Sequence, residues 1–272
     1  VDEMNLPEEI VKRKMAFQPP ADGKTAMVRG CEVFYREKGT GPVLLYIHGN
    51  LGYHGWFNDL MDIPGYRTIA PDMPNFGFSG RIESSEVEDY AAYLLDFLEV
   101  LGVGSAVVTG HSLGGCVAQS MAVKKPDSVK KMILIDSGSY KGLHTPEESY
   151  PIFEQYKVNY QFLKAALSAI MPQLEEGKRK EELVDGALLM SHHCYVGHAR
   201  SLSRFDLTGK TGLQGIPVLV IRGEDDILIT SEMAEETAEA WKGALHILPS
   251  SGHSPLVEVP ETFKTLMMEF LD

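Results

Sequence analysis

Residues 109–115 read Thr-Gly-His-Ser-Leu-Gly-Gly, with Ser112 two residues from a glycine on either side. The run before it, 105–110, has the β-branched character of a strand, and the run after it, 115–125, has helical spacing. A chain that turns from strand to helix within a residue or two crowds its own backbone. Glycine at 110 and 114 removes the side chains that would collide there. The Ser112 hydroxyl would then project clear of the sheet, at the positive end of the helix dipole. A serine hydroxyl is a weak nucleophile and needs an adjacent base, and that base needs an acid to fix its tautomer. Other strand ends carry such residues: His-Gly-Asn-Leu-Gly at 48–52, Arg-Gly-Glu-Asp-Asp at 222–226 and Ser-Ser-Gly-His-Ser-Pro at 250–255. Serine, acid and histidine thus fall at one edge, in that chain order, with His253 as the candidate base. The same residue types are common in turns, so an ordinary loop is the competing reading at each end.

These residues need a scaffold. Apolar runs at 43–47, 131–136 and 216–223, and a weaker one at 66–72, suit strands buried on both faces. Residues 31–39 alternate like a strand, and 244–249 read as another. Residues 85–101 carry apolar positions at helical spacing with acidic residues in the first turn; 231–242 and 260–272 are further helices. Pro7 opens a short helix at 7–15. Strands alternating with helices imply an α/β fold, a mostly parallel sheet with helices on both faces. From 140 to 210 the alternation stops, and the chain becomes helical and rich in Tyr, Phe, Met and His. The expected organisation is an N-terminal extension at 1–30, a core at 31–139 and 211–272, and an inserted helical cap at 140–210. Sites in open α/β sheets form at the carboxyl ends of the strands.

The totals narrow the function classes. A formal net charge of -13 over 272 residues excludes wrapping by nucleic acid and offers anionic membranes no long-range attraction. Cys31, Cys116 and Cys194 have no regular spacing, which points to a reducing compartment and not to a disulfide framework. The first 15 residues lack the apolar core of a signal peptide, and no apolar run approaches the roughly 18 residues of a membrane span. The expectation is a cytoplasmic protein, monomer or homodimer, acting on a small molecule.

Four motifs together carry a resemblance: His48-Gly49-Asn50, Gly110-His111-Ser112-Leu113-Gly114, Gly223-Glu224-Asp225-Asp226, and the run Gly-His-Ser-Pro-Leu-Val-Glu-Val-Pro-Glu at 252–261. Over about residues 30–272 the chain resembles the α/β-hydrolase superfamily, in its serine-nucleophile branch with a helical cap. That resemblance implies Ser112 as nucleophile and His253 as general base. It implies Asp226 as the acid, counted from Gly223, with Asp225 and Asp136 as competitors, since some relatives carry the acid at the position of Asp136. The oxyanion hole would use the main-chain N–H groups of Leu113 and Asn50, with Leu51 as fallback. Asn75 stands where relatives usually have glycine; asparagine is the next most tolerant residue at positive φ.

The implied reaction is hydrolysis of an ester, lactone or thioester of a small, partly apolar substrate through an acyl-enzyme, with no metal or organic cofactor. Carbon–carbon hydrolases of the meta-cleavage type, perhydrolases and ligand-sensing receptors share the architecture, and the motifs do not choose among them. Serine at 112 departs from the aspartate of dehalogenases and epoxide hydrolases and from the cysteine of dienelactone-hydrolase-like enzymes. Trp56 and Phe57 follow the oxyanion loop and are expected to bind substrate as pocket wall. His48 and His111 are expected to shape loops, Asp72 and Ser79 to form turns, and Cys116 to pack in the core. His192, His193, Cys194 and His198 are metal-ligand types without a recognised spacing, and read as cap surface or pocket lining.

Overall fold

Strands that are apolar on both faces must lie in the middle of a covered sheet. The computed structural model, which describes residues 6–272, has that arrangement. Its strands are β1 (Lys24–Val28), β2 (Cys31–Gly39), β3 (Val43–Ile47), β4 (Arg67–Pro71), β5 (Ala106–His111), β6 (Val129–Ile135), β7 (Val218–Gly223) and β8 (Ala244–Leu248). They form one 8-stranded sheet in the order β1-β2-β4-β3-β5-β6-β7-β8. β1 and β2 join it antiparallel, and every pairing from β4 to β8 is parallel. β3, β5 and β7 are buried at every residue.

The helices cover this sheet. α1 (Glu8–Ala16) precedes β1, and α2 (Val87–Val100) lies between β4 and β5. α2 buries Val87, Tyr90, Ala91, Leu94, Leu95, Phe97 and Leu98, the stripe its spacing anticipates, and packs on β1 and on α3 (Leu113–Lys124). α3 has no polar face and is buried along most of its length, because it packs on β3, β5 and β6. Between β6 and β7 come α4 (Tyr150–Tyr156), α5 (Tyr160–Ile170), α6 (Lys178–Ala187) and α7 (Cys194–Arg204). The chain closes with α8 (Ser231–Trp241), α9 (Pro255–Glu258) and α10 (Pro260–Leu271). No helix among the described residues is long and apolar enough to cross a membrane.

The N-terminal extension is more involved than its sequence implies. Its residues 1–5 lie outside the described residues. Residues 24–28 are β1, an edge strand of the sheet, although the sequence reading set the whole of 1–30 before the core. The signal was weak because an edge strand need not alternate: β1 buries only Val28 and exposes Met27. α1 buries Ile10 alone and docks on the helical insertion. There Arg13 pairs with Asp185 of α6 at 3.1 Å and lies 3.6 Å over the Tyr160 ring.

The tightest joint is that between β5 and α3. A single residue, Ser112, makes it, at φ 53° and ψ −118°. A Cβ on Gly110 would lie 2.2 Å from the Gly114 carbonyl oxygen, and one on Gly114 would lie 2.3 Å from that of Ile47. Both neighbours are main chain and cannot rotate away. Gly114→Ala is therefore expected to lower the unfolding free energy by about 3 kcal/mol or more. Urea denaturation would check it; a variant as stable as wild type would refute this account of the joint.

Candidate active site

Three strand ends bring their polar residues together. Ser112 stands at the β5–α3 corner, Asp226 in the loop after β7, and His253 in the loop after β8. The His253 ring has Nε2 2.9 Å from Ser112 Oγ and Nδ1 2.8 Å from Asp226 Oδ2. Asp226 Oδ1 also accepts from the main-chain N–H groups of Leu228 (2.7 Å) and Ile229 (3.2 Å). Burial alone would push the Asp226 carboxyl up, but the bond to and charge of His253 outweigh it and hold it at about 2. An ionised Asp226 only accepts, so Nδ1 of His253 carries the proton. Nε2 is then free to accept from the Ser112 hydroxyl.

Each loop is pinned by a charged group outside this trio. Arg222, at the end of β7, donates to the carbonyls of Ile229 (2.7 Å), Asp226 (3.0 Å) and Glu224 (3.2 Å). Glu258 of α9 accepts from the N–H groups of Gly252 (3.1 Å) and Ser254 (3.0 Å) on either side of His253. The His253 N–H donates to Ile170 O, and its carbonyl accepts from His111 Nε2 at 2.8 Å. Sequence reasoning named neither Arg222 nor Glu258 as site residues, although both stand inside the quoted motifs.

The loop after β3 closes the other side. A Cβ on Gly49 would lie 3.0 Å from that of Ser112, so the His48–Asn50 segment passes directly against the serine. Leu113 is the first residue of α3, where helical N–H groups have no intrahelical partner. Leu51 donates its N–H to the Asn50 side chain at 3.1 Å, which takes the fallback donor out of use. Asn50 Oδ1 also accepts from His198 Nδ1 at 2.7 Å, and His198 Nε2 accepts from the Tyr90 hydroxyl at 2.8 Å. Tyr90 in turn accepts from Asn75 Nδ2 at 3.2 Å. This chain sets the direction of the Asn50 amide, and its members come from four separate elements.

Asn75 does sit at positive φ, 77°. Asp72 accepts from the N–H groups of His54 and Phe78, and Ser79 donates to Asp72 O, as turn residues. Cys116 is buried. Asp225 is exposed and bonds Ser251 O through its N–H, away from His253. Asp136 is buried close by: one ligating atom each of Asp136, Asp226 and His253 lie within 4.8 Å of one another. In the His192–His198 run, His198 turns to Asn50, Cys194 lies 3.5 Å from His193 Nε2, and Cys194 and His198 both contact the Tyr90 hydroxyl.

A cavity of about 220 Å³ opens above Ser112, walled by Trp56, Phe153, Tyr156, Leu167, Ile170 and Leu202, with Asn50 and His253 at its base. The helical insertion thus supplies most of its walls. Phe57 is a correction: it is absent from the wall and stacks on Tyr46 in the core, with centroids 4.8 Å apart. Both residues lie on a 3₁₀ turn, His54–Leu60, where successive side chains diverge by about a third of a turn, so only Trp56 faces the cavity.

Burial drives His48 down to about 4, and His111 and His198 to about 3. Each stays neutral when folded but would take a proton when unfolded, below its ordinary 6.5. The stability they contribute is complete above that value and is lost as pH falls toward 3–4. The loss is about 2 kcal/mol for each at about pH 5. A difference isolates it, because the raised carboxyl of Asp136 works with the opposite sign in every variant. Between about pH 7.5 and about pH 5, His198→Gln is expected to lose about 2 kcal/mol less unfolding free energy than wild type. Equal losses in urea titrations would refute it.

A family model described as the alpha/beta hydrolase fold matches residues 42–170. The chain is 27% identical over 246 residues to an (E)-2-((N-methylformamido)methylene)succinate hydrolase of Acinetobacter baylyi, covering 88% of this chain and 93% of that one. It is 25% identical to a 2-hydroxy-6-oxo-6-phenylhexa-2,4-dienoate hydrolase of Comamonas testosteroni, covering 88% and 91%. Among solved structures it is similar to an esterase from Exiguobacterium antarcticum, with a TM-score of 0.82, 20% identity, and coverage of 92% and 100%.

Proposed function

We propose that this chain, which belongs to the α/β-hydrolase superfamily, is a serine hydrolase of neutral, small, partly apolar esters or lactones. The relatives and the solved structure it is similar to are hydrolases, which together with the superfamily supports a hydrolase of ester or carbon–carbon bonds. The choice of ester rests on one observation: among the described residues, neither Lys nor Arg lines the cavity above Ser112. The succinate and dienoate named for the two relatives are carboxylates. A carboxylate drawn into this cavity would lose its water and meet no cation, at a cost of several kcal/mol. A neutral acyl group would meet mostly apolar wall and lose little.

In this reading the Ser112 hydroxyl attacks the substrate carbonyl while its proton passes to His253 Nε2. The new oxyanion accepts from the N–H groups of Asn50 and Leu113, donors held in place before the charge develops. Asp226 stays ionised and stabilises the imidazolium. His253 then returns the proton to the departing alcohol as the C–O bond breaks, leaving an acyl-Ser112 ester. Water, deprotonated by His253, attacks that ester and releases the acid and the serine. The small cavity supports a short acyl group and a small-molecule substrate in preference to a polymer.

Wild type is expected to turn over short-chain p-nitrophenyl esters, and Ser112→Ala to lose on the order of 10⁶ in kcat, or about 8 kcal/mol of barrier. Wild type that is inert on every ester and lactone would refute the reading. A second comparison tests the charge argument. The kcat/KM for a neutral ester should exceed that for a hemiester of similar size, bearing one free carboxylate, by about 100-fold or more. A preference for the anionic substrate would move the carbon–carbon reading ahead.

A further inference from the structure

Two aspartates meet beneath His253, and the proposed triad uses only one. Asp136 follows β6, is 1% exposed, and holds φ 41°. The Gly223 N–H donates to its Oδ1 at 2.8 Å. Its Oδ2 is buried without a donor among the described residues. The Asp226 carboxyl is within hydrogen-bonding reach of Asp136, inside the 4.8 Å cluster that also holds a ring nitrogen of His253. Two ionised carboxylates cannot hydrogen-bond each other, and here they would repel in a nearly dry site. Arg222 does not bridge them, since its bonds run to the carbonyls of Ile229, Asp226 and Glu224. One proton on the pair resolves both difficulties: it removes one charge and turns the orphaned oxygen into a donor.

We infer that Asp136 is held protonated and donates an O–H···O hydrogen bond to Asp226, as a positioning residue that keeps the acid of the triad in place. This rests on the triad reading above. The proton belongs on Asp136 because Asp226 already accepts from His253, Leu228 and Ile229, whereas the Asp136 carboxyl accepts, among the described residues, from Gly223 alone. Burial raises the Asp136 carboxyl well above its usual range, and the bond to Asp226 and that group's charge raise it further. The titratable groups that face the pair are Arg222 from β7, His253 from the loop after β8, and His111 from β5.

Two measurements test the proposal, one of them independent of catalysis. Infrared difference spectra of protein carrying carboxyl-¹³C aspartate should contain, at about pH 8, the C=O band of a protonated carboxyl that Asp136→Asn abolishes. Absence of the band in wild type would overturn the proposal, whether or not the protein hydrolyses esters. The kinetic arm compares two variants whose folding is checked by thermal melts. Asp136→Leu leaves Asp226 without the donor and is expected to lower kcat by about 10- to 100-fold with KM nearly unchanged. Its kcat/KM profile should move its acidic limb upward by about half a pH unit or more, because Asp226 then concentrates its charge on His253. Asp136→Asn keeps an oxygen for Gly223 and an N–H for Asp226, and should restore most of the loss. Equal activities and equal pH profiles for the two variants would overturn the proposal. If wild type hydrolyses no ester while the band is present, the ester reading falls and the shared proton stands.

Discussion

The whole site depends on one crowded joint. At Ser112 the chain leaves a central strand and enters a helix within a single residue, at a backbone conformation that side chains rarely adopt. Such a turn survives only where its surroundings leave no easier path. Here β3 and β6 flank β5 on both sides, and α3 is buried along most of its length beneath them. The packing that holds the joint also dictates what can sit near it. Glycine is required at 110 and 114 by main-chain atoms of the corner itself and of β3. The loop after β3 is pressed against the serine, which brings Asn50 into the cavity that His253 also lines.

A second theme is how little net charge the buried site carries. His48, His111 and His198 are neutral, so each ring has one donor and one acceptor nitrogen; His48 and His198 use both, and His111 uses Nε2. His48 donates from Nδ1 to Gly49 O and accepts from the Met73 N–H, tying the loop after β3 to the one after β4. His111 ties the corner to the carbonyl of His253, and His198 ties the helical insertion to Asn50. In a medium of low dielectric these neutral bonds are strong, and they hold loops without charges that would compete with Asp226. The ionised groups that do the pinning, Arg222 and Glu258, bond main-chain atoms around the trio and leave its side chains to one another.

Much of the fold was legible because its signals are local. Continuous apolar runs marked the central strands, and periodic ones marked α2, α8 and α10. The strand β1 was not legible, since an edge strand of five residues with one buried side chain carries almost no pattern. The resemblance carried by four short motifs implied Ser112, Asp226 and His253, with Asp225 and Asp136 as rival acids, and the structure brings the first three side chains within hydrogen-bond distance. Trp56 and Phe57 looked alike in sequence, and only the pitch of the 3₁₀ turn sent one to the cavity and the other to Tyr46.

The sequence by itself determined the order of the strands and helices and the strand-to-helix corner at which Ser112 stands, because these follow from hydrophobic period and backbone sterics. Only the tertiary structure decided which polar groups meet across elements. His198 lies 148 positions from Asn50, and Asp136 lies in a loop separate from that of Asp226. No local rule reaches over such separations. Their pairing is set by strand order in the sheet and by where the helical insertion comes to rest, which is a property of the packed whole.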